Sequence, residues 1–191
     1  MAEIGRLSKA KILIVDDVEP NVVLLTELLR RSGYQEIVGA TDARKGLDLC
    51  RQVEPDLIIL DLLMPDLDGF GFMTEAAKFV PEDTYLPILV ITADTTREAR
   101  QRALTMGAKD FLTKPFEATE VLLRVRNLLE TRFLHERLRA RNASLEALVE
   151  QRTLELSRQV AALDVLAKER LALLSKLSET TAPSPEEEDL A

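Results

Sequence analysis

Short apolar runs punctuate the first two thirds of the chain, each followed by a polar residue and then by a stretch with helical spacing. Lys11-Ile12-Leu13-Ile14-Val15, Ile37-Val38-Gly39-Ala40, Leu57-Ile58-Ile59-Leu60, Pro87-Ile88-Leu89-Val90-Ile91-Thr92 and Phe111-Leu112-Thr113 are too short for helices and read as strands. Between them, apolar residues return every three or four positions. Helices are predicted over Glu19 to Arg31 (Val22, Leu25, Leu28 and Leu29 inward), from Thr41 or Asp42 to Val53, and over Gly69 to Phe79. A weaker one runs from Asp94 or Thr95 to Met106, with only Ala99, Ala103 and Met106 to bury and Gly107 as its stop. Strands that lack polar alternation are buried on both faces. Their alternation with helices predicts an α/β, doubly wound, five-stranded parallel sheet with helices on both sides.

The pattern changes after Phe116. No Gly or Pro occurs from there to Ala182, and Leu, Ala, Glu and Arg dominate, so a single helix of about 60 residues, near 90 Å, is expected. Its first turns (Val121, Leu122, Val125, Leu128, Leu129) must pack on the sheet as its fifth helix. Farther on, apolar residues follow the 3.5-residue repeat of a coiled coil. Leu138, Leu145, Val149, Leu156, Leu163, Leu166, Leu173 and Leu177 form the seam, and polar breaks at Asn142, Arg152, Gln159 and Arg170 can set register. Val160 and Ala167 offer an alternative seam after Leu156. A helix this long has nothing in its own chain to cover that seam, so a parallel homodimer is expected. The division that follows is a globular domain over 10–130, a coiled-coil helix over 131–179 continuous with the fifth helix, and a disordered acidic tail over 180–191.

Composition narrows the reading further. A net charge of −8 disfavours nucleic acid as a partner of the whole chain. The arginines at 124, 126, 132, 137, 139 and 141 sit among Glu130 and Glu136 and read as a solvated coil face, with no helix-turn-helix behind them. Cys50, the sole cysteine, reads as a small core residue and excludes a disulfide framework. His135 reads as a lone solvated or seam-flanking residue. No membrane span or signal peptide is visible, so a cytoplasmic protein is expected.

The candidate chemistry lies at the strand ends. A lone Asp61 after Leu60 would ordinarily cap the next turn. In a parallel sheet, however, all carboxyl ends share one edge, so Asp16, Asp17, Asp61, Thr92 and Lys114 converge. Crowded carboxylates repel one another and call for a cation, and oxygen donors select a hard divalent ion such as Mg2+. A metal, a lysine and a strand-end carboxylate suit phosphoryl transfer onto the carboxylate.

Ile14-Val15-Asp16-Asp17, Leu60-Asp61-Leu62-Leu63-Met64-Pro65-Asp66-Leu67-Asp68-Gly69, Ile91-Thr92-Ala93 and Gly107 through Phe116, in that order, resemble the receiver domain of two-component response regulators. The resemblance covers residues 10 to 130. It implies a CheY-like, flavodoxin-like fold with sheet order 2-1-3-4-5 that takes a phosphoryl group from a sensor histidine kinase. By matching position it implies Asp61 as phospho-acceptor and Asp16, Asp17, Asp61 and the Leu63 backbone carbonyl as Mg2+ ligands. Thr92, Ala93, Lys114 and Phe111 would be the phosphoryl contacts and switch. The stretch from Leu123 to Leu156 is similar to the helical linker of HD-GYP-type regulators.

Two positions depart from many relatives. Leu63 stands where a polar side chain often tunes hydrolysis of the acyl phosphate, which predicts a long-lived phosphorylated state. Phe111 has no hydroxyl, so its switching must work by packing alone. The expected function is a response regulator that transmits through a dimeric coil and is not itself an enzyme. The alternatives are the N-terminal regulatory part of a larger cyclic-di-GMP signalling enzyme and an aspartate-nucleophile phosphatase. The phosphatase would need a second acid where Leu63 stands.

Overall fold

Five strands, β1 (Lys11–Val15), β2 (Glu36–Ala40), β3 (Leu57–Leu60), β4 (Ile88–Thr92) and β5 (Asp110–Thr113), form one all-parallel sheet in the order β2-β1-β3-β4-β5. The computed structural model describes residues 2–81 and 84–180, with side chains over 5–81 and 84–176. The chain divides into two units, Met1–Leu138 and Arg139–Ala191. The expected acidic tail lies outside the described residues apart from Thr180.

Both faces of the sheet are buried, as the unbroken apolar strands predict. On one face Leu13, Val15, Ile58, Leu60, Val90 and Phe111 pack with α3 (Ala43–Val53), α4 (Gly69–Ala77) and α5 (Arg97–Thr105). On the other, Ile12, Ile14, Leu57, Ile59, Leu89 and Leu112 pack with α2 (Glu19–Arg31) and the first turns of α6 (Ala118–Thr180). The alternation of strand side chains between faces produces this division. Cys50 is buried in the first cluster as expected, and burial pushes its thiol up to about 11.

Several elements differ from expectation in detail. A short helix α1 (Ala2–Leu7) precedes the sheet, where no periodic signal exists. There Arg6 pairs with Glu136 and its guanidinium lies 4.5 Å from the Phe133 ring centroid, so α1 is held by tertiary contacts. Asp42 caps α3, accepting from the Lys45 amide at 2.8 Å. α5 begins later than Asp94 or Thr95. Thr96 is its cap, and Asp94 instead accepts from the Thr96 amide (2.9 Å) and hydroxyl (2.6 Å). These bonds hold the Asp94 carboxyl below the usual carboxylate value. α4 stops at Ala77, short of Phe79, in turn bonds to the carbonyls of Glu75 and Ala76.

The first turns of α6 are tied down by more than apolar packing. Arg124 is not a solvated coil residue; its guanidinium meets both Asp110 oxygens at 2.6 and 2.7 Å and Glu120 at 2.7 Å. Arg132, only 14% exposed, donates to the Tyr85 carbonyl at 3.0 Å and pairs with Glu136 at 2.9 Å and Asp56 at 3.7 Å. His135 is not a lone side chain, since it stacks on Tyr85 with ring centroids 4.5 Å apart. In unit two, Leu145, Val149, Leu156, Leu163, Leu166 and Leu173 are exposed, as is every residue from 139 to 176. Leu177 lies on α6, but its side chain is outside the described residues. No helix among the described residues is long and apolar enough to cross a membrane.

Candidate functional site

Asp16, Asp61, Thr92 and Lys114 each sit at or directly after the last residue of a strand. The Asp16 amide donates to Ala40 and the Asp61 amide to Val15, so the sheet ladder runs one residue past β1 and β3. The backbone that carries both carboxylates is thereby fixed in the sheet. Asp16 is 2% exposed and Asp61 6%, whereas Asp17 is half-buried at the rim. One oxygen of each of the three lies within 4.8 Å of the others.

That much buried negative charge needs compensation. Lys114 supplies it, with its Nζ 2.6 Å from Asp16 Oδ2 and 2.6 Å from Asp61 Oδ2. Burial pulls the ammonium toward neutrality, but the two carboxylates more than offset this, and its pKa lies above the ordinary lysine value. The lysine follows β5, where its amide donates to the Thr92 carbonyl, and its bond to Pro115 is cis.

Asn21 is a site residue that the sequence reading missed. Its Nδ2 donates to both Asp16 oxygens, at 2.9 and 3.1 Å, and the Val18 amide donates to Asp16 Oδ1 at 3.0 Å. A signal existed, for Asn21 precedes Leu25 and Leu28 at helical spacing and is thus a polar residue on the inward face of α2.

The other expected residues lie in different environments. Thr92 is fully buried, and its hydroxyl accepts from the Asp94 amide at 3.3 Å. Ala93 is exposed beside it. The Leu63 amide donates to Asp61 Oδ1 at 3.2 Å while its side chain stands 54% exposed. Phe111 is buried in the core on the α3–α5 face, its ring 6.0 Å from the Arg100 guanidinium. Lys114 therefore meets Asp16 and Asp61 directly, Asp17 joins the two acids in one cluster, and among the described residues no side-chain hydrogen bond or ion pair brings Thr92, Ala93 or Phe111 onto them. The donor set is carboxylate oxygen without sulfur or imidazole, and it fits a hard divalent cation such as Mg2+.

A five-stranded 2-1-3-4-5 sheet with an acid cluster and a lysine on its carboxyl edge defines a receiver-type module. The profile of the response regulator receiver domain matches residues 12–126, and the chain belongs to that family, which serves two-component signalling with histidine kinases. It is 39% identical over 135 residues to the response regulator PleD of Caulobacter vibrioides, covering 71% of this chain and 29% of that protein. It is 40% identical over 119 residues to the alkaline phosphatase synthesis regulator PhoP of Bacillus subtilis, covering 62% of this chain and 48% of PhoP. The chain thus spans less than half the length of either relative. Among solved structures, NtrX from Brucella abortus is similar at TM-score 0.62 and 32% identity over 68% of this chain and 29% of that one. The CheX–CheY–BeF3–Mg complex from Borrelia burgdorferi is similar at TM-score 0.58 and 27% identity over 62% and 88%.

Proposed function

We propose that Asp61 accepts a phosphoryl group from the phosphohistidine of a sensor histidine kinase, and that this modification is the protein's input. The observation that carries the reading is Lys114 bridging Asp16 and Asp61 at 2.6 Å to each, a cation already seated on the acceptor. An Asp61 oxygen attacks phosphorus, the phosphorus–nitrogen bond to the donor imidazole breaks, and an acyl phosphate forms. Asp61 is the best placed nucleophile, being buried at the end of a central strand, oriented by the Leu63 amide and bonded to Lys114. Asp16, Asp17, Asp61 and the Leu63 carbonyl would hold Mg2+, which when bound supplies positive charge against the phosphoryl oxygens. Lys114 then moves from carboxylate to phosphoryl oxygen, and the Thr92 hydroxyl turns toward it in exchange for the Asp94 amide. Phe111 follows Thr92 by packing alone.

Incubating the protein with acetyl phosphate and Mg2+ and weighing it intact tests the assignment. The expected result is one phosphoryl group per chain, absent in Asp61→Asn; equal incorporation in that variant overturns it. The exposed apolar Leu63 beside Asp61 supports slow hydrolysis, and a phosphoryl lifetime of seconds would overturn that part.

In this reading residues 10–130 are the receiver, and 131–179 are a parallel coiled coil through which two chains pair. A second reading, that the chain is the regulatory part of a larger cyclic-di-GMP signalling enzyme, is supported by the linker-like stretch from Leu123 to Leu156. The gene's adjoining reading frame tests it, and a stop codon directly after Ala191 excludes it.

A further inference from the structure

We infer that the distal part of α6 pairs with a second copy of this chain through two alternative seams that diverge after Leu156, and that the state of the acid site biases the choice between them. The inference rests on the dimeric reading of the coil and adds what the pairing does.

Up to Leu156 the apolar positions define one seam, Leu145, Val149 and Leu156, with Asn142 and Arg152 as polar layers. The polar layers identify the partner. In a parallel, in-register pair of identical chains each polar layer faces itself, and an Asn at an a position is a recognised register device. Arg152, which would be central, carries its own counter-ion, Glu155 at 2.7 Å.

Beyond Leu156 the helix offers two continuations. Keeping the 3.5-residue repeat places Gln159, Leu166 and Leu173 beside the shared residues Leu163, Arg170 and Leu177. A four-residue step from Leu156 to Val160 instead places Val160, Ala167 and Leu174 beside the same shared residues. Both sets are uncovered in the single chain. Leu166 and Leu173 are 60% and 62% exposed, Val160 and Leu174 64% and 54%. In the first seam the shared residues occupy a, in the second d, so the two differ by a rotation of each helix of about 50° about its axis. A four-residue insertion of this kind locally unwinds a left-handed supercoil.

Neither seam dominates on chemistry. The first buries two leucines but also Gln159. It also sets Arg170 against Glu169 of the partner subunit, and neither residue has an ion-pair partner within its own chain among the described residues. The second replaces Gln159 with Val160, but it substitutes small Ala167 for Leu166 and removes Arg170 from the partner's Glu169. Two packings with offsetting gains form a bistable element. α6 runs unbroken from Ala118, beneath the sheet, to Thr180, so a bias applied at the receiver has a continuous helix to act through.

Single cysteines in the full chain carrying Cys50→Ala test this by disulfide formation, with and without beryllofluoride and Mg2+. Leu145→Cys, upstream of the divergence, reports the dimer. Leu166→Cys and Leu173→Cys report the first seam, and Ala167→Cys and Leu174→Cys the second. The expectation is that Leu145→Cys cross-links in both conditions and both reporter sets cross-link. Their ratio should change by about fivefold or more with beryllofluoride, the lower range of coupling between sites, and Asp61→Asn should remove the change. Cross-linking at 145 with only one reporter set active in both conditions, or an unchanged ratio, overturns the two-seam inference and leaves the dimer standing. A monomeric mass with no cross-linking at 145 overturns both.

Discussion

Adding one methyl group at Gly69 asks whether the loop that carries Asp61 tolerates any side chain behind it. Gly69 is the buried first residue of α4, and its amide donates to the Leu62 carbonyl at 3.0 Å. A Cβ there would collide with the Asp61 carbonyl oxygen and lie 2.7 Å from Leu62 Cα and 3.0 Å from Leu62 Cδ2. Two of the three obstacles are backbone and cannot rotate away. The cost falls toward the upper end of the roughly 1–3 kcal/mol of core overpacking. Loss of chain entropy in the unfolded state returns about 0.4–1 kcal/mol. A net loss of about 2 kcal/mol corresponds to a midpoint about 6–10 °C lower for a domain of this size. Gly71→Ala is the control. Its Cβ would meet Leu67 Cδ1 at 2.5 Å, the far end of a half-buried and flexible side chain, and Asp68 Oδ1 at 3.2 Å. Leu67 can swing aside, and alanine gains about 1 kcal/mol of helix propensity. Thermal unfolding followed by circular dichroism should rank Gly69→Ala well below the parent and Gly71→Ala close to it. Phosphoryl incorporation should fall only in Gly69→Ala, because the displaced backbone is that of Asp61. If the two variants melt together, contact with the backbone is not what excludes a side chain.

Three more outcomes follow from the same contacts. Mg2+ at tenfold its dissociation constant should stabilise the parent by about 1.4 kcal/mol and Asp16→Asn far less, as read by urea titration; equal gains would remove Asp16 from the metal site. The folded thiol pKa of Cys50, about 11 against an ordinary 9.0, makes its contribution complete below pH 9 and lost as pH rises toward 11. The parent should therefore lose about 1 kcal/mol more than Cys50→Ala between pH 7 and 10, and parallel pH profiles would contradict the burial argument. Arg132→Ala should cost about 2 kcal/mol, because a largely buried guanidinium loses bonds to Tyr85 and Glu136. Arg126→Ala, whose exposed side chain pairs with Glu130 one turn away, should be indistinguishable from the parent in the same denaturation assay.

Much of this molecule is legible along the chain because its strongest signals are one-dimensional. Strands buried on both faces show as apolar runs, so β1, β3 and β4 lie almost where the pattern places them. The convergence of Asp16, Asp17, Asp61 and Lys114 requires only that all strands run the same way, since parallel strands end on a common edge whatever their packing. The single long helix after Phe116 is likewise legible, from the lack of Gly and Pro along it. What needed three dimensions were the pairings between segments distant in sequence. Lys114 settles between Asp16 and Asp61, 98 and 53 residues away, because burial forces the carboxylates to share a cation. Asn21 turns onto Asp16 because α2 starts beside β1. Arg132 and His135, which look like solvated coil residues in a charged helix, become fastenings because the loop of Tyr85 lies against that turn of α6. The folding of α1 onto Phe133 has no periodic trace at all. Periodicity reports which face of an element is apolar, whereas the partner a polar side chain finds is decided by which other element packs within its reach.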